Sequence, residues 1–207
     1  TGYLHRGLEK AMEQHAWSAA IVYADHVDPE ADVFGELATC LAAEALCGVT
    51  PPARATVVRV VLCELTRISN HLGFVVRMAR ATGSETTAHY VLRDRERILD
   101  LFELLTGARF SVGFLRIGGV SADITEGFME RVLETCDLIR VRIKEYNDLF
   151  TFNQAFLQRT QGVGIVTREQ VAALGVTGPN ARASGEPADV RRDMPYCGYE
   201  NMDFEVP

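Results

Sequence analysis

The sequence has no long apolar run and no excess of positive charge. None of its apolar stretches approaches the about 18–20 residues that a membrane-spanning helix requires. The first twenty residues carry charges where a signal peptide would be apolar. Lys and Arg number 21 against 28 Asp and Glu, which gives a formal net charge of −7. This balance argues against nucleic acid, or an anionic membrane surface, as a partner.

Closely spaced cysteine pairs are also missing. An odd number of cysteines without any C-x-x-C argues against a disulfide framework and against an iron–sulfur or zinc ligand set. We therefore predict that this chain by itself binds no metal and no cofactor. Cys40, Cys47 and Cys63 fall on apolar faces of predicted helices, so we predict that they are small buried hydrophobic residues.

The motifs of several enzyme classes are absent as well. The chain contains no H-E-x-x-H, no G-x-S-x-G, and neither of the complete glycine motifs that bind dinucleotides or nucleoside triphosphates. The sequence therefore offers no catalytic residue of the zinc-protease, esterase or nucleotide-binding kinds.

Long segments with helical periodicity dominate what is present. Apolar residues make up 47% of the chain and charged residues 24%, which is enough to build a sizeable core. The periodicity predicts helices at 6–12, 31–47, 54–81, 94–106 and 123–150, and the Gly-rich stretch 110–120 predicts a turn or short strand. The expected fold is mainly α, a bundle of long amphipathic helices with short strands.

The composition changes near residue 150. Residues 1–150 are predicted to form the helical core. Residues 151–207 are predicted to continue the same domain as a short helix, begun by a capping box of Thr167 and Gln170, and an irregular Gly- and Pro-rich segment with short strands.

One predicted helix carries three polar residues on a single flank. Glu64, Arg67 and His71 are spaced by three and four residues, and apolar neighbours surround them. Polar groups need partners if such a helix is buried. We predict a structural polar network between helices, with a functional site as the alternative.

Several arginines stand in irregular segments. Arg6, in the run His5-Arg6-Gly7, is a cation beside a turn, which suits either a redox centre, an anion or solvent. Arginines in Gly-rich loops fix the loop or clamp a neighbouring subunit. The loop arginines of this kind are Arg109, Arg116, Arg182 and Arg191.

Six ordered features of the sequence together resemble one family. Five are the blocks GYLHRGLEK (2–10), ELTRISNHL (64–72), RDRERILDLFELLTGARF (93–110), RIGGVSADI (116–124) and RASGEPADVRRDMPYCGYENMDFEVP (182–207), and the sixth is the long spacing between them. The chain resembles the D subunit of respiratory complex I, the NADH–quinone oxidoreductase, which is related to the large subunit of nickel–iron hydrogenases. The likeness covers essentially all 207 residues.

The resemblance implies a peripheral-arm subunit with a hydrogenase-large-subunit-like helical fold. Such a subunit lies on the cytoplasmic side of the bacterial inner membrane and meets the membrane only through its complex. Its implied partners are the small subunit with the terminal iron–sulfur cluster, the other complex I subunits, and quinone, which is reduced in a cavity between the two subunits. The family chain begins earlier and continues further, so we expect a fragment without independent activity.

The resemblance also assigns site positions, several of them altered. Arg6 matches an arginine near the cluster. The family's quinone-binding tyrosine follows an aspartate, whereas here Asp28 is followed by Pro29. An acidic residue of the family falls on Ala81, and a histidine linked to proton coupling falls on Ser111.

These departures leave two alternatives open beside the leading one. The chain is either a structural or assembly paralogue without quinone chemistry, or a complex I relative with a different electron acceptor. The nickel-ligating C-x-x-C pairs are absent, which disfavours hydrogenase chemistry.

Overall fold

The computed structural model describes residues 2, 3 and 5–206. Contacts within the chain define two compact units, Thr1–Phe150 and Thr151–Pro207. The division falls at the predicted change after residue 150. That the second unit belongs to the same domain as the first stays a prediction.

Long helices and one small hairpin form the first unit, which confirms the mainly α prediction. The described elements are α1 (Leu8–Met12), α2 (Trp17–Ala24), α3 (Asp32–Cys47), α4 (Ala53–Ala81), α5 (Glu85–Thr106), β1 (Leu115–Arg116), β2 (Gly119–Val120) and α6 (Phe128–Tyr146). The antiparallel strands β1 and β2 pair Leu115 with Val120. A π-helical turn, Asn147–Thr151, follows α6.

The core lies chiefly between α4 and α5, which pack along each other and are joined by the short turn 82–84. Along α4, buried side chains recur at helical spacing, as at Val58, Leu62, Leu65, Leu72 and Val76. This is the spacing of one face of an α-helix. The partner face of α5 includes Ile98 and Phe102.

Two helix starts were predicted wrongly. Helix α5 begins at Glu85, nine residues before the predicted start at residue 94, because Thr87 and Val91 are buried and extend the packed face. Helix α6 begins at Phe128 instead of residue 123. There Asp123 accepts hydrogen bonds from the Arg54 side chain and from the Ile124 N–H, which holds the chain in a turn. Helix α2 was not predicted.

The cysteine prediction is correct for two residues of three. Cys40 and Cys63 are fully buried. Cys47 is exposed, because it is the last residue of α3, and Gly48 in the left-handed conformation then turns the chain away from the core.

Short helices make up the second unit. They are α7 (Gln154–Thr160), α8 (Arg168–Leu174), α9 (Gly178–Ala183), α10 (Val190–Asp193) and the 3₁₀ turn Tyr199–Asn201. The capping box of α8 is confirmed: Thr167 Oγ1 accepts from the Gln170 N–H, and Gln170 Oε1 accepts from the Thr167 N–H. The predicted short strands are not found among the described residues of this unit.

One buried carboxylate explains the helical path of residues 178–193. Asp189 accepts from the Arg191 backbone N–H at 2.9 Å and binds the side chains of Arg182 and Arg191. The Arg191 guanidinium also lies 5.0 Å from the centre of the Phe204 ring. The two arginines therefore fix the loop, as one of the two sequence interpretations has it.

In the described part of the chain, no helix combines the length and the apolar character needed to cross a membrane.

Candidate functional site

Four carboxylates hold the loop that joins α5 to α6. Each accepts a hydrogen bond from a backbone N–H of this loop, and each is less than one tenth exposed. We call these residues the carboxylate row. The pairs are Ser111 N–Asp32 Oδ2 at 2.8 Å, Gly113 N–Asp25 Oδ2 at 3.2 Å, Leu115 N–Glu36 Oε2 at 2.6 Å and Gly118 N–Glu44 Oε1 at 2.7 Å.

The spacing along α3 produces most of the row. Asp32, Glu36 and Glu44 are separated by multiples of four residues, so they share one face of the helix. Asp25 joins them from the residue that follows α2. The two helices meet closely at Gly35, where an added Cβ would overlap the Ala24 carbonyl group. Glycine therefore permits the approach that brings Asp25 beside Glu36.

Arg59 neutralises one end of the row. Its guanidinium, which is fully buried, binds Glu44 through two nitrogens at 2.5 and 3.1 Å. It also donates to the carbonyls of Arg116 at 2.7 Å and Gly119 at 3.0 Å. Burial by itself raises the pKa of Glu44, but the hydrogen bonds from Arg59 and Gly118 outweigh burial, and the net pKa is lowered.

The other end of the row has no such cation among the described residues. Burial raises the pKa of Asp32, which accepts N–H groups from Val33 and Ser111. Burial also raises the pKa of Asp25 to about 6 and that of Glu36 to about 8, and the negative charge of Asp25 adds to the shift of Glu36. This end therefore favours neutral carboxyl groups.

The structure places Arg6 against the loop before α3. Its guanidinium donates to the carbonyl oxygens of His26 and Val27, the latter at 3.2 Å. Arg6 is exposed, and its hydrogen bonds connect it to the same loop that carries Asp28 and Pro29. A role facing a cluster stays a prediction.

Asp28 and Pro29 lie at the edge of a small pocket. Asp28 Oδ1 accepts from the Glu30 N–H at 3.1 Å and so stabilises the turn. Pro29 is exposed and helps line the pocket. The other lining residues are Glu30, Asp32, Thr66, Ser69, Arg95, Leu99, Phe102, Arg109 and Phe110.

Ser111 belongs to the same neighbourhood, and Ala81 does not. Ser111 follows the lining residue Phe110 and is held through its N–H by Asp32, in a left-handed conformation with φ 50° that non-glycine residues rarely adopt. Ala81 is the exposed last residue of α4, and it is not among the described residues that line the pocket.

The predicted polar network is less buried than expected. Arg67 pairs with Glu64 at 3.1 Å on its own helix, with the two side chains 28% and 34% exposed. The Arg67 guanidinium lies 5.0 Å from the centre of the Phe34 ring, which connects α4 to α3. His71 is exposed. The anchoring role of these residues stays a prediction.

Arg109 has its own set of acidic partners. It binds Asp100 at 2.7 Å and Glu103 at 3.2 Å, and it also pairs with Glu96. All three carboxylates belong to α5, so Arg109 fixes the start of the loop to the helix that precedes it.

Sequence reasoning missed the carboxylate row, Arg59, and a second buried cluster. In that cluster, Asp94 on α5 accepts from the Tyr146 hydroxyl on α6 at 2.5 Å and from Arg93 at 3.0 Å. The available signal for the row was the spacing of acidic residues at multiples of four within an apolar helix. Such spacing usually marks a solvated face, and only the path of the distant loop reveals the burial.

The chemistry that this arrangement supports is the binding and release of protons by buried carboxyl groups. Thr66 adds a hydroxyl to the pocket that is 2% exposed and has no hydrogen-bond partner among the described residues. Within those residues, no group of three or more His, Cys, Asp or Glu is arranged to hold a metal ion.

Comparison with known proteins gives a consistent result. The family of the respiratory-chain NADH dehydrogenase 49 Kd subunit matches residues 81–207. The second of the numbered D subunits of NADH-quinone oxidoreductase in Rhizobium etli (strain CIAT 652) is 42% identical over 205 residues, which are 99% of this chain and 51% of that protein. The D subunit of NADH-quinone oxidoreductase in Geotalea uraniireducens (strain Rf4) is 43% identical over 206 residues, which are 100% of this chain and 53% of the relative.

A third relative extends the similarity to another bacterium. The corresponding D subunit in Acidothermus cellulolyticus (strain ATCC 43068 / DSM 8971 / 11B) is 42% identical over 208 residues, which are 100% of this chain and 47% of that protein. The chain thus spans about half the length of the curated relatives that it matches. It belongs to the family of the respiratory-chain NADH dehydrogenase 49 Kd subunit, which comprises the D subunits of the NADH-quinone oxidoreductases.

Proposed function

We propose that this chain is part of a peripheral-arm subunit of an NADH-quinone oxidoreductase, and that it helps to form the cavity in which quinone is reduced. The observation that carries the proposal is the clustering of three positions that the resemblance assigns to this region. Arg6 binds the carbonyls of the loop before Pro29, Pro29 lines the pocket, and Asp32 in that pocket holds Ser111.

The pocket supplies hydrogen-bond donors of its own, which supports a carbonyl-bearing ligand. The buried Thr66 hydroxyl has no partner among the described residues. The Arg95 guanidinium donates to the Ser69 carbonyl at 3.2 Å and lies 5.4 Å from the centre of the Phe110 ring. A quinone presents two carbonyl oxygens and a flat ring, which suit a hydroxyl or guanidinium donor and an aromatic neighbour respectively.

The proposed partners follow from the same function. They are an iron–sulfur small subunit, whose terminal cluster delivers the electrons, and the other subunits of the complex. In this arrangement the chain binds no cofactor itself, and the complex is attached to the cytoplasmic side of the bacterial inner membrane. Arg6 faces the cluster, where a cation stabilises the reduced, more negative state and raises the reduction potential.

A structural or assembly role is the second candidate, and the altered positions favour it. Pro29 has no hydroxyl, Ala81 offers only a methyl group, and Ser111 contributes its backbone N–H to Asp32. None of the three supplies the acidic, phenolic or imidazole group of the family. A different electron acceptor would also account for these changes.

Photolabelling of the native complex separates these functions. The complex is purified from cells that carry a tagged chain and is illuminated with an azidoquinone, and the labelled peptides are mapped. Quinone reduction in this cavity predicts label on peptides that contain Pro29 or Phe110, and protection by excess quinone. An assembled complex that reduces quinone without label on this chain would contradict the proposal.

The role of Arg6 is tested separately by redox titration of the complex with electron paramagnetic resonance. Arg6→Met is expected to lower the midpoint potential of the partner's terminal cluster. Lys10→Met is the matched control, because Lys10 is an exposed cation of α1 that pairs with Glu13 at 3.0 Å. An unchanged midpoint in a correctly assembled Arg6→Met complex would leave Arg6 with a structural role.

A further inference from the structure

We infer that Asp25 and Glu36 together bind one proton, held between Asp25 Oδ1 and Glu36 Oε1 in the interior of the first unit. This proton site goes beyond the proposed function and does not depend on quinone chemistry.

The geometry of the two carboxyl groups carries the inference. Both side chains are completely buried. Each uses one oxygen to accept a backbone N–H from the loop after α5, Asp25 Oδ2 from Gly113 and Glu36 Oε2 from Leu115. The second oxygen of each, Asp25 Oδ1 and Glu36 Oε1, has no hydrogen-bond donor among the described residues.

One proton satisfies both oxygens at once. An ionised carboxylate only accepts hydrogen bonds, so two buried carboxylates within reach of each other leave both free oxygens unpartnered and repel one another. A protonated carboxyl group donates one hydrogen bond, and its neighbour accepts it. The two side chains are within hydrogen-bonding reach of each other, which meets this requirement.

The surrounding charges favour a proton over a cation. Asp32 on α3 adds a third acidic group, and His26 follows Asp25 in the chain. The buried guanidinium of Arg59 on α4 is bound by Glu44. Farther along the loop, the Arg116 side chain donates to the carbonyls of Gly113 and Leu115, and Cys40 on α3 is a buried thiol.

The acidities agree with the geometry. Burial raises the pKa of Glu36 to about 8, and that of Asp25 to about 6, so the pair holds its proton at neutral pH and releases it in mildly alkaline solution. Because the two groups interact, the proton belongs to the pair and not to one residue. Its release leaves two like charges at the points that hold Gly113 and Leu115.

The stability of the full chain as a function of pH tests the inference. A carboxyl group whose pKa is raised by folding binds more protons in the folded state, so stability is present at low pH and is lost as pH rises through the folded pKa. Between pH 6 and 8, the unfolding constant of the wild type is expected to rise by up to about tenfold per pH unit for one proton.

Glu36→Gln mimics the protonated state. Its amide carbonyl still accepts the Leu115 N–H, and its NH₂ group donates permanently to Asp25. The rise of the unfolding constant between pH 6 and 8 is expected to disappear in this variant. Glu64→Gln is the matched control, because Glu64 pairs with Arg67 and not with a second carboxyl group, and it should keep the wild-type slope.

Infrared spectroscopy covers the outcome that the variant fails to fold. The wild-type chain should show a protonated-carboxyl C=O band that disappears between pH 7 and 9, and Asp25→Asn, in which the new amide donates to Glu36, should lack it. A Glu36→Gln curve parallel to the wild type would overturn the inference. The absence of any carboxyl band that titrates in this range would overturn it too, since a bound water would then occupy the place of the proton.

Discussion

The Arg59 guanidinium lies 2.5 Å from Glu44 Oε1 while it also donates to the carbonyl oxygens of Arg116 and Gly119. One side chain of α4 thereby connects α3 to the hairpin of β1 and β2. Both charges are buried, so the pair is stable only while both partners are present.

Removal of Arg59 should therefore be severely destabilising. Arg59→Met leaves Glu44 as an uncompensated buried charge, which typically costs about 3–5 kcal/mol of unfolding free energy. The matched control is Arg54→Met, because Arg54 pairs with Asp123 at 2.9 Å but the two side chains are 66% and 61% exposed. Exposed pairs contribute about 0–1 kcal/mol. Urea denaturation of the two variants measures the difference, and equal losses would contradict the described burial.

A single methyl group at position 35 should separate α2 from α3. In Gly35→Ala the new Cβ would overlap the Ala24 carbonyl oxygen, so backbone has to move. Overpacking of this kind costs about 1–3 kcal/mol. Gly73→Ala is the control in another helix, since its Cβ would meet only the ends of Arg77 and Arg95 at 3.6 and 3.8 Å. We expect Gly73→Ala to be neutral or slightly stabilising, and thermal denaturation of the pair measures both signs.

The hydroxyl of Tyr146 should stabilise the contact between α5 and α6. Tyr146→Phe removes its hydrogen bond to the buried Asp94, and a hydrogen bond to a charged group contributes about 1.5–3 kcal/mol. Burial alone raises the pKa of Asp94, but hydrogen bonds from Arg93 and Tyr146 outweigh it, and the net pKa is lowered.

The pH dependence of this cluster has the opposite sign to that of Asp25 and Glu36. A carboxyl group with a lowered pKa contributes stability above its unfolded pKa, about 3.9 for Asp, and loses it as pH falls through the folded pKa. Tyr146→Phe should therefore weaken the acid-side loss of stability. Tyr90→Phe, on the exposed end of α5, is the control that should leave the acid limb unchanged. Acid titration of stability that is identical in wild type and Tyr146→Phe would count against the assignment.

Arg67 should contribute less than a fully buried arginine. Its partly exposed ion pair with Glu64 adds about 0–1 kcal/mol, and its position over Phe34 adds about 0.5–1 kcal/mol. We expect Arg67→Ala to cost about 1–2 kcal/mol by denaturation. Arg140→Ala removes an i,i+3 pair with Asp137 in which the side chains are 79% and 74% exposed, and it should cost almost nothing. Equal effects would remove the anchoring role of Arg67.

The sequence by itself determined the helices whose packing follows their local pattern. The predicted segments 31–47 and 54–81 differ by one residue each from Asp32–Cys47 and Ala53–Ala81, and the capping box of Thr167 and Gln170 lies where it was predicted. These features depend on neighbours within about one helical turn, and their signals are therefore present in any short window of sequence.

The tertiary structure alone decided which charged residues are buried and what they hold. Asp32 and Asp25 accept N–H groups 79 and 88 residues away, and Arg59 reaches carbonyls 57 and 60 residues away. A carboxylate spaced by four residues on a helix is equally compatible with a solvated face. Burial becomes favourable only when a distant backbone segment supplies the donors, because an unpartnered buried charge is costly. That donor set depends on the path of the loop after α5, which no local pattern specifies.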